Sequence, residues 1–200
     1  MQDFEEKIID IMEGKSPEAK FGHPTIFHEL VKSDLPSQEK TVGRLNDEAQ
    51  LVVAAGLVTT AWALSVASFH IINNTSIFQK LRKELEQAIP DINAPLYWQQ
   101  VELLPYLNAC MREGIRLSYG VTARNPRLSP KPLIYNGWTI PPRTPVSMTI
   151  VNHNHNEEIF PDSHSFLPER WLENKTRSGA DLDRYFFSFG KGSRSCLGIK

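Results

Sequence analysis

Phe189-Gly190-Lys191-Gly192-Ser193-Arg194-Ser195-Cys196-Leu197-Gly198 is the stretch on which the reading of this 200-residue chain turns. Two glycines precede the cysteine and one follows two residues later. Glycine tolerates positive φ and lets another group approach the backbone closely, so the spacing describes a cysteine held in a fixed loop. Arg194, two positions before Cys196, is placed to neutralise an acidic group on whatever the sulfur binds. A helix beginning near Cys196 would aim free backbone N–H groups and a positive dipole end at the sulfur, favouring thiolate over thiol. Thiolate is the form that ligates a metal. The plain alternative is a glycine-rich turn with a buried thiol.

Composition sets the outer bounds. Lysine plus arginine number 22 and aspartate plus glutamate 23, for a net charge of −1, and 40% of residues are hydrophobic. These values suit a globular chain and exclude a strongly basic nucleic-acid binder and an acidic disordered chain. The two cysteines, Cys110 and Cys196, make neither a disulfide framework nor a four-cysteine zinc site. That fits a reducing compartment or a cysteine kept for chemistry. Residues 1–20 are charged and lack the apolar core of a signal peptide.

Hydrophobic spacing predicts an amphipathic helix over residues 3–13 and a second over 25–32. One long helix is expected from about Lys40 to Asn73, and residues 49–72 carry no formal charge. About 20 apolar residues cross a bilayer, so a membrane span and a core helix both stand. Gln50, Thr59, Thr60, Ser65, Ser68 and His70, with many small residues, favour the core. Asn74 caps a further helix in which Ile77, Leu81 and Leu85 share a face, and residues 105–117 form the next. Prolines at 126, 130, 132, 141, 142 and 145 then break helical structure. Residues 133–135 and 146–150 read as strands, with Asn136-Gly137 a hairpin turn. His153 and His155, two apart on such a strand, with His164, invite a metal reading, but no cysteine or carboxylate at ligand spacing completes the set.

The cysteine stretch resembles the haem-binding loop of the cytochrome P-450 family, Phe-x-x-Gly-x-Arg-x-Cys-x-Gly, on which Phe189, Gly192, Arg194, Cys196 and Gly198 all fall. Three upstream segments resemble the family in the same order. Ala55-Gly56-Leu57-Val58-Thr59-Thr60 is similar to its oxygen-binding stretch, Ala-Gly-x-Asp/Glu-Thr-Thr. Glu113 and Arg116 match its Glu-x-x-Arg pair, and Pro168-Glu169-Arg170 its Pro-Glu-Arg segment, which adds Arg170 as a third member. The Phe-Leu-Pro-Glu-Arg-Trp wording is similar to fungal microsomal members.

The resemblance implies a mainly α fold with a small β region: the C-terminal half of the family's single domain, covering residues 1–200 and truncated at both ends. It implies haem b (iron protoporphyrin IX), with Cys196 as the axial iron ligand and Phe189, Gly192, Arg194 and Gly198 in the cofactor loop. Arg124 stands where the family often places a cation on a haem propionate; the alternative is a surface arginine. Thr59 would present its hydroxyl to dioxygen, and Glu113, Arg116 and Arg170 would be structural. The implied activity is monooxygenation of a small lipophilic substrate, in secondary metabolism, with dioxygen and NADPH–cytochrome reductase as partners and no nucleic acid. The parent would sit at the endoplasmic reticulum membrane, with no anchor in this chain. One departure stands out: the family's acidic position is Val58, which cannot carry a proton. It implies slower or poorly coupled oxygen activation, or a proton route through Thr59 and water. Val58 and the truncations also support another reading, a catalytically silent haem-binding or interaction remnant.

Overall fold

The computed structural model describes residues 2–16 and 22–199. Met1 and Lys200, on which the expectation of truncation rests, lie outside the described residues. The chain divides into two compact units, the first running through Val58 and the second from Thr59.

The first unit holds α1 (Gln2–Met12), α2 (Ile26–Lys32), a 3-10 turn at Ser37–Lys40 and the start of α3 (Val42–Asn73). Ile8, Leu45 and Ala49 form its core, with Phe4, Phe27 and Leu30 packed around them. The buried His28 fixes the entry to α2. Its Nδ1 accepts from the Thr25 hydroxyl at 2.7 Å and the Thr25 N–H at 3.2 Å, and Nε2 donates to the Ser16 carbonyl at 2.9 Å. Every ring nitrogen is thereby used, as a buried polar side chain requires.

The second unit is organised on α5 (Pro105–Ser118). One face sends Tyr106, Cys110 and Leu117 into a core with Ile77 and Leu81 of α4 (Thr75–Ala88) and with Phe166. Ala109 joins a second cluster with Phe160, Trp171 and Leu182. Where α3 crosses α5, Gly114 is required by contact: a Cβ there would stand 2.5 Å from the Cβ of Ala67. Asn74 caps α4 as expected, its side chain accepting from the N–H groups of Ser76 and Ile77. The cap of α5 comes from elsewhere in the chain. Leu104 offers no side-chain acceptor, so Glu84 of α4 accepts the N–H groups of Tyr106 and Leu107, both at 2.8 Å. A carboxylate at a helix N-terminus also meets the positive dipole end.

The expected hairpin forms, β1 (Leu133–Tyr135) pairing antiparallel with β2 (Trp138–Ile140) and Tyr135 opposite Trp138. Asn136 and Gly137 both take positive φ, as a two-residue turn of this kind demands. Residues 146–150 do not form the expected strand. Val146 makes one isolated antiparallel bridge with Arg127, Thr149 is an N-cap, and Ile150 opens α6 (Ile150–Asn154). Pro141, Pro142 and Pro145 remove the donors a longer ladder needs. The last helix is α7 (Glu169–Glu173).

By length and composition α3 could cross a membrane, and only 6% of its most apolar window is buried. Its C-terminal part nonetheless makes contacts typical of a core helix. Ala67 abuts Gly114, and Trp62 donates its indole N–H to the Ser118 carbonyl at 3.0 Å.

Candidate functional site

The cysteine loop is built by two backbone positions that only glycine takes without strain. Gly190 has φ +69° and Gly192 +79°. Three hydrogen bonds then fold the loop on itself: Gly190 N–H to the Phe187 carbonyl at 2.7 Å, Ser195 N–H to Gly192 at 3.1 Å, and Cys196 N–H to Phe189 at 2.8 Å. The fixed loop expected of the sequence is present. After Cys196 the described residues make a 3-10 turn, Leu197–Ile199. Among the described residues it is the loop that holds Cys196, whose side chain is exposed.

Cys196, Arg194, Phe189 and Gly198 all line one cavity of about 880 Å³. Thr59 and Thr60 of α3 and Met111 and Ile115 of α5 line it as well. Gly192 shapes the loop and is not in the wall. Arg124 is exposed, in a segment where Val121, Ala123, Asn125 and Arg127 line the cavity. Arg127 is a cation of this segment in the cavity wall. Val58, beside Thr59, is exposed.

Glu113 and Arg116 are wholly buried, and Arg170 joins them. Arg116 donates Nε to Glu113 Oε2 at 2.9 Å and Nη2 to Oε1 at 2.8 Å; Arg170 Nε reaches Oε1 at 3.1 Å. The Leu167 N–H and the Trp171 indole N–H complete the carboxylate's partners, at 3.0 and 2.8 Å. Arg116 places Nη1 between the carbonyls of Asn154 and Ser163, both at 2.8 Å. A buried ion pair survives desolvation only when its remaining hydrogen bonds are filled, and here they are. Burial alone would raise the Glu113 pKa. The hydrogen bond and charge of Arg116, the charge of Arg170 and the Leu167 N–H outweigh it and hold the carboxyl below the usual range.

Sequence reasoning missed Trp171 and Asn154 in this network. Trp171 sits in a segment singled out for its arginine, yet nothing local says where the indole points. Asn154 Nδ2 donates back to the Arg116 carbonyl at 2.8 Å, and no sequence signal marks it. Arg112 lies 4.5 Å over the Trp171 ring and pairs with Asp183. Cys110 is an inert apolar filler: burial, helped by nearby carboxylates, pushes its thiol up to about 12.

His153 is held apart from His155 and His164, which stack on each other. His153 bonds the Tyr185 carbonyl. His155 meets the Tyr119 hydroxyl at 2.6 Å and Ser163 Oγ at 3.2 Å, and stacks on His164 with ring centroids 3.9 Å apart. Asn174 is engaged at both ends of its amide with Asp183.

Haem is a broad apolar plate carrying two carboxylates and a metal. The cavity offers Ala63, Leu64 and Phe189 as apolar wall, guanidinium groups at Arg127 and Arg194, and one sulfur at Cys196. This donor set fits the group. The sequence matches the cytochrome P450 family over residues 5–200, and the chain belongs to that family. It is 48% identical to a cytochrome P450 monooxygenase of Sordaria araneosa, over 100% of this chain and 39% of that protein. It is 43% identical to a cytochrome P450 monooxygenase of Ascocoryne sarcoides, over 100% of this chain and 41% of the relative. An N-acetyltryptophan 6-hydroxylase of Emericella nidulans is 45% identical over 88% of this chain and 35% of its own length. The chain thus spans about two-fifths or less of the curated relatives it matches. Haem is the cofactor of this family, and its members draw on dioxygen and a redox partner.

Proposed function

We propose that this chain supplies the cysteine-loop portion of a haem-thiolate monooxygenase, one part of a single P450 domain, that inserts one atom of dioxygen into a small lipophilic substrate of fungal secondary metabolism. The observation that carries the reading is that Cys196, Arg194 and Thr59, distant in sequence, line one cavity. Bound haem b would supply the reducible iron at which dioxygen is activated. The residues of the chain do the rest. Cys196 would hold the metal through its thiolate, and Arg194, with Arg124 and Arg127 from the segment after Gly120, would hold the propionate carboxylates. Thr59 would present a hydroxyl, donor and acceptor at once, to the oxygen side of the cavity. Glu113, Arg116 and Arg170 would keep the wall rigid without touching substrate. NADPH–cytochrome reductase is the proposed electron donor, and the endoplasmic reticulum membrane the proposed location of the parent.

Val58 favours a second reading, a haem-binding protein that does not turn over, because the family's acidic residue is replaced there. The carbon monoxide difference spectrum of the reduced full-length protein tests the first step. The long-wavelength Soret band for which the family is named is expected, and Cys196→Ser should abolish it. An unchanged spectrum in that variant sinks the thiolate assignment. Turnover with reductase then separates the enzyme from the silent protein.

A further inference from the structure

We propose that His153 is a positioning residue for the cysteine loop, holding the segment that enters the loop against the buried Glu113–Arg116 network. The inference rests on the haem-thiolate reading above for its consequence, although the positioning itself is a property of the protein without haem. His153 lies on α6, whose next residue, Asn154, is tied to Arg116 twice, through its carbonyl and its Nδ2, both at 2.8 Å. That turn of helix is therefore anchored to the most buried polar group of the unit. From this anchor His153 Nε2 reaches the Tyr185 carbonyl at 2.7 Å. A carbonyl only accepts, so Nε2 carries the proton. The same ring stands edge-on to Phe187, with centroids 4.7 Å apart and planes at 79°, and edge-on to the fully buried Phe160 at 6.0 Å.

Tyr185 and Phe187 lie within four residues of the start of the loop at Phe189, and their positions pass into it. The Phe187 carbonyl accepts from Gly190 at 2.7 Å, setting the first glycine turn. The Phe189 carbonyl accepts from Cys196 at 2.8 Å, setting the sulfur's backbone. His153, Phe187 and Cys196 line the same cavity. Histidine suits the post because one side chain gives both a flat ring for the aromatic edge contacts and a donor at its far end. Among the described residues no group of three or more histidines, cysteines and carboxylates forms a metal site around it.

The test uses the full-length protein, in haem-free and haem-loaded forms. His153→Gln keeps a donor at the reach of Nε2, and His153→Asn has its amide too near the backbone to reach Tyr185. Loss of an ordinary hydrogen bond is worth about 1 kcal/mol, or about fivefold. Amide exchange at Gly190 and Cys196 in the haem-free protein should therefore speed about fivefold in the asparagine variant, with α5 unchanged, and stay near wild type in the glutamine variant. In the loaded protein the thiolate-ligated fraction of the carbon monoxide complex should fall in the asparagine variant and recover with glutamine. Equal exchange at Gly190 and Cys196 in wild type and His153→Asn overturns the proposal, as does a uniform acceleration that includes α5. A wild-type protein without the thiolate band defeats the haem-thiolate reading instead, and the exchange result still decides the role of His153. If His153→Asn does not fold, His153→Phe, which keeps the ring and removes the donor, replaces it with the same expectations.

Discussion

Trp171 donates its indole N–H to Oε2 of Glu113 across 2.8 Å, and both residues are buried. This bond fills the last acceptor position on a carboxylate otherwise shared by two arginines and a backbone amide. Trp171→Phe keeps an aromatic ring and deletes the donor. A hydrogen bond to a charged group contributes about 1.5–3 kcal/mol, and urea unfolding should register a loss of that order. Arg170→Ala should cost more, about 3–5 kcal/mol, because it removes a charged partner from a buried carboxylate. Equal midpoints for wild type and Trp171→Phe would show that the indole bond adds nothing.

The crossing of α3 and α5 depends on the absence of a single carbon. Gly114→Ala would bring a Cβ to 2.5 Å from that of Ala67 and 3.1 Å from its Cα. Alanine is the better helix former by up to about 1 kcal/mol, yet overpacking costs about 1–3 kcal/mol. A net loss of stability is expected. Ala67→Gly placed in the same chain should restore part of it, so the two changes should be non-additive in a double-mutant cycle.

Stability should decline on mild acidification through His155. Burial first, then the charges of His164 and Arg116, hold its pKa below the ordinary 6.5, against the opposing pull of Glu157 and the Ser163 backbone. The Tyr119 hydroxyl and Ser163 Oγ complete its surroundings. The folded chain thus binds fewer protons than the unfolded chain in this window. Its contribution is complete above about pH 6.5 and is lost as the pH falls through the lower folded value. His70, stacked on Phe166 and also lowered, first by burial, acts in the same direction. Urea midpoints followed from neutral pH downward should fall, and His155→Gln should flatten that slope without removing it. An identical slope in the variant would exclude His155 as a source.

Val58 tests the proton route. If the family's acidic residue relays protons and the full-length protein turns over as proposed, Val58→Glu should raise the product formed per NADPH consumed. Coupling that stays the same would remove the idea that valine at this position limits oxygen activation.

Much of the architecture was legible because its causes are local. Asn74 caps α4 with its own side chain, and the Ile77, Leu81 and Leu85 spacing marks that helix's inner face. Asn136-Gly137 makes a hairpin, and Gly190 and Gly192 make a loop, because φ beyond zero is written into those residue types. The expectations that failed were those where a distant partner outweighed a local preference. Residues 146–150 have strand-like composition, yet Thr149 and Ile150 enter α6, which brings Asn154 to Arg116.

What the amino-acid order determined by itself was which segments become helix, turn and cysteine loop, since those depend on backbone freedom and on neighbours a few residues away. Only the tertiary structure decided that Arg127 lines the cavity, that Glu84 caps α5, and that Trp171 completes Glu113 from 58 positions away. Those outcomes depend on which side chains meet across the folded core, where a hydrogen bond's direction and a ring's edge count for more than the propensity of the residue that bears them.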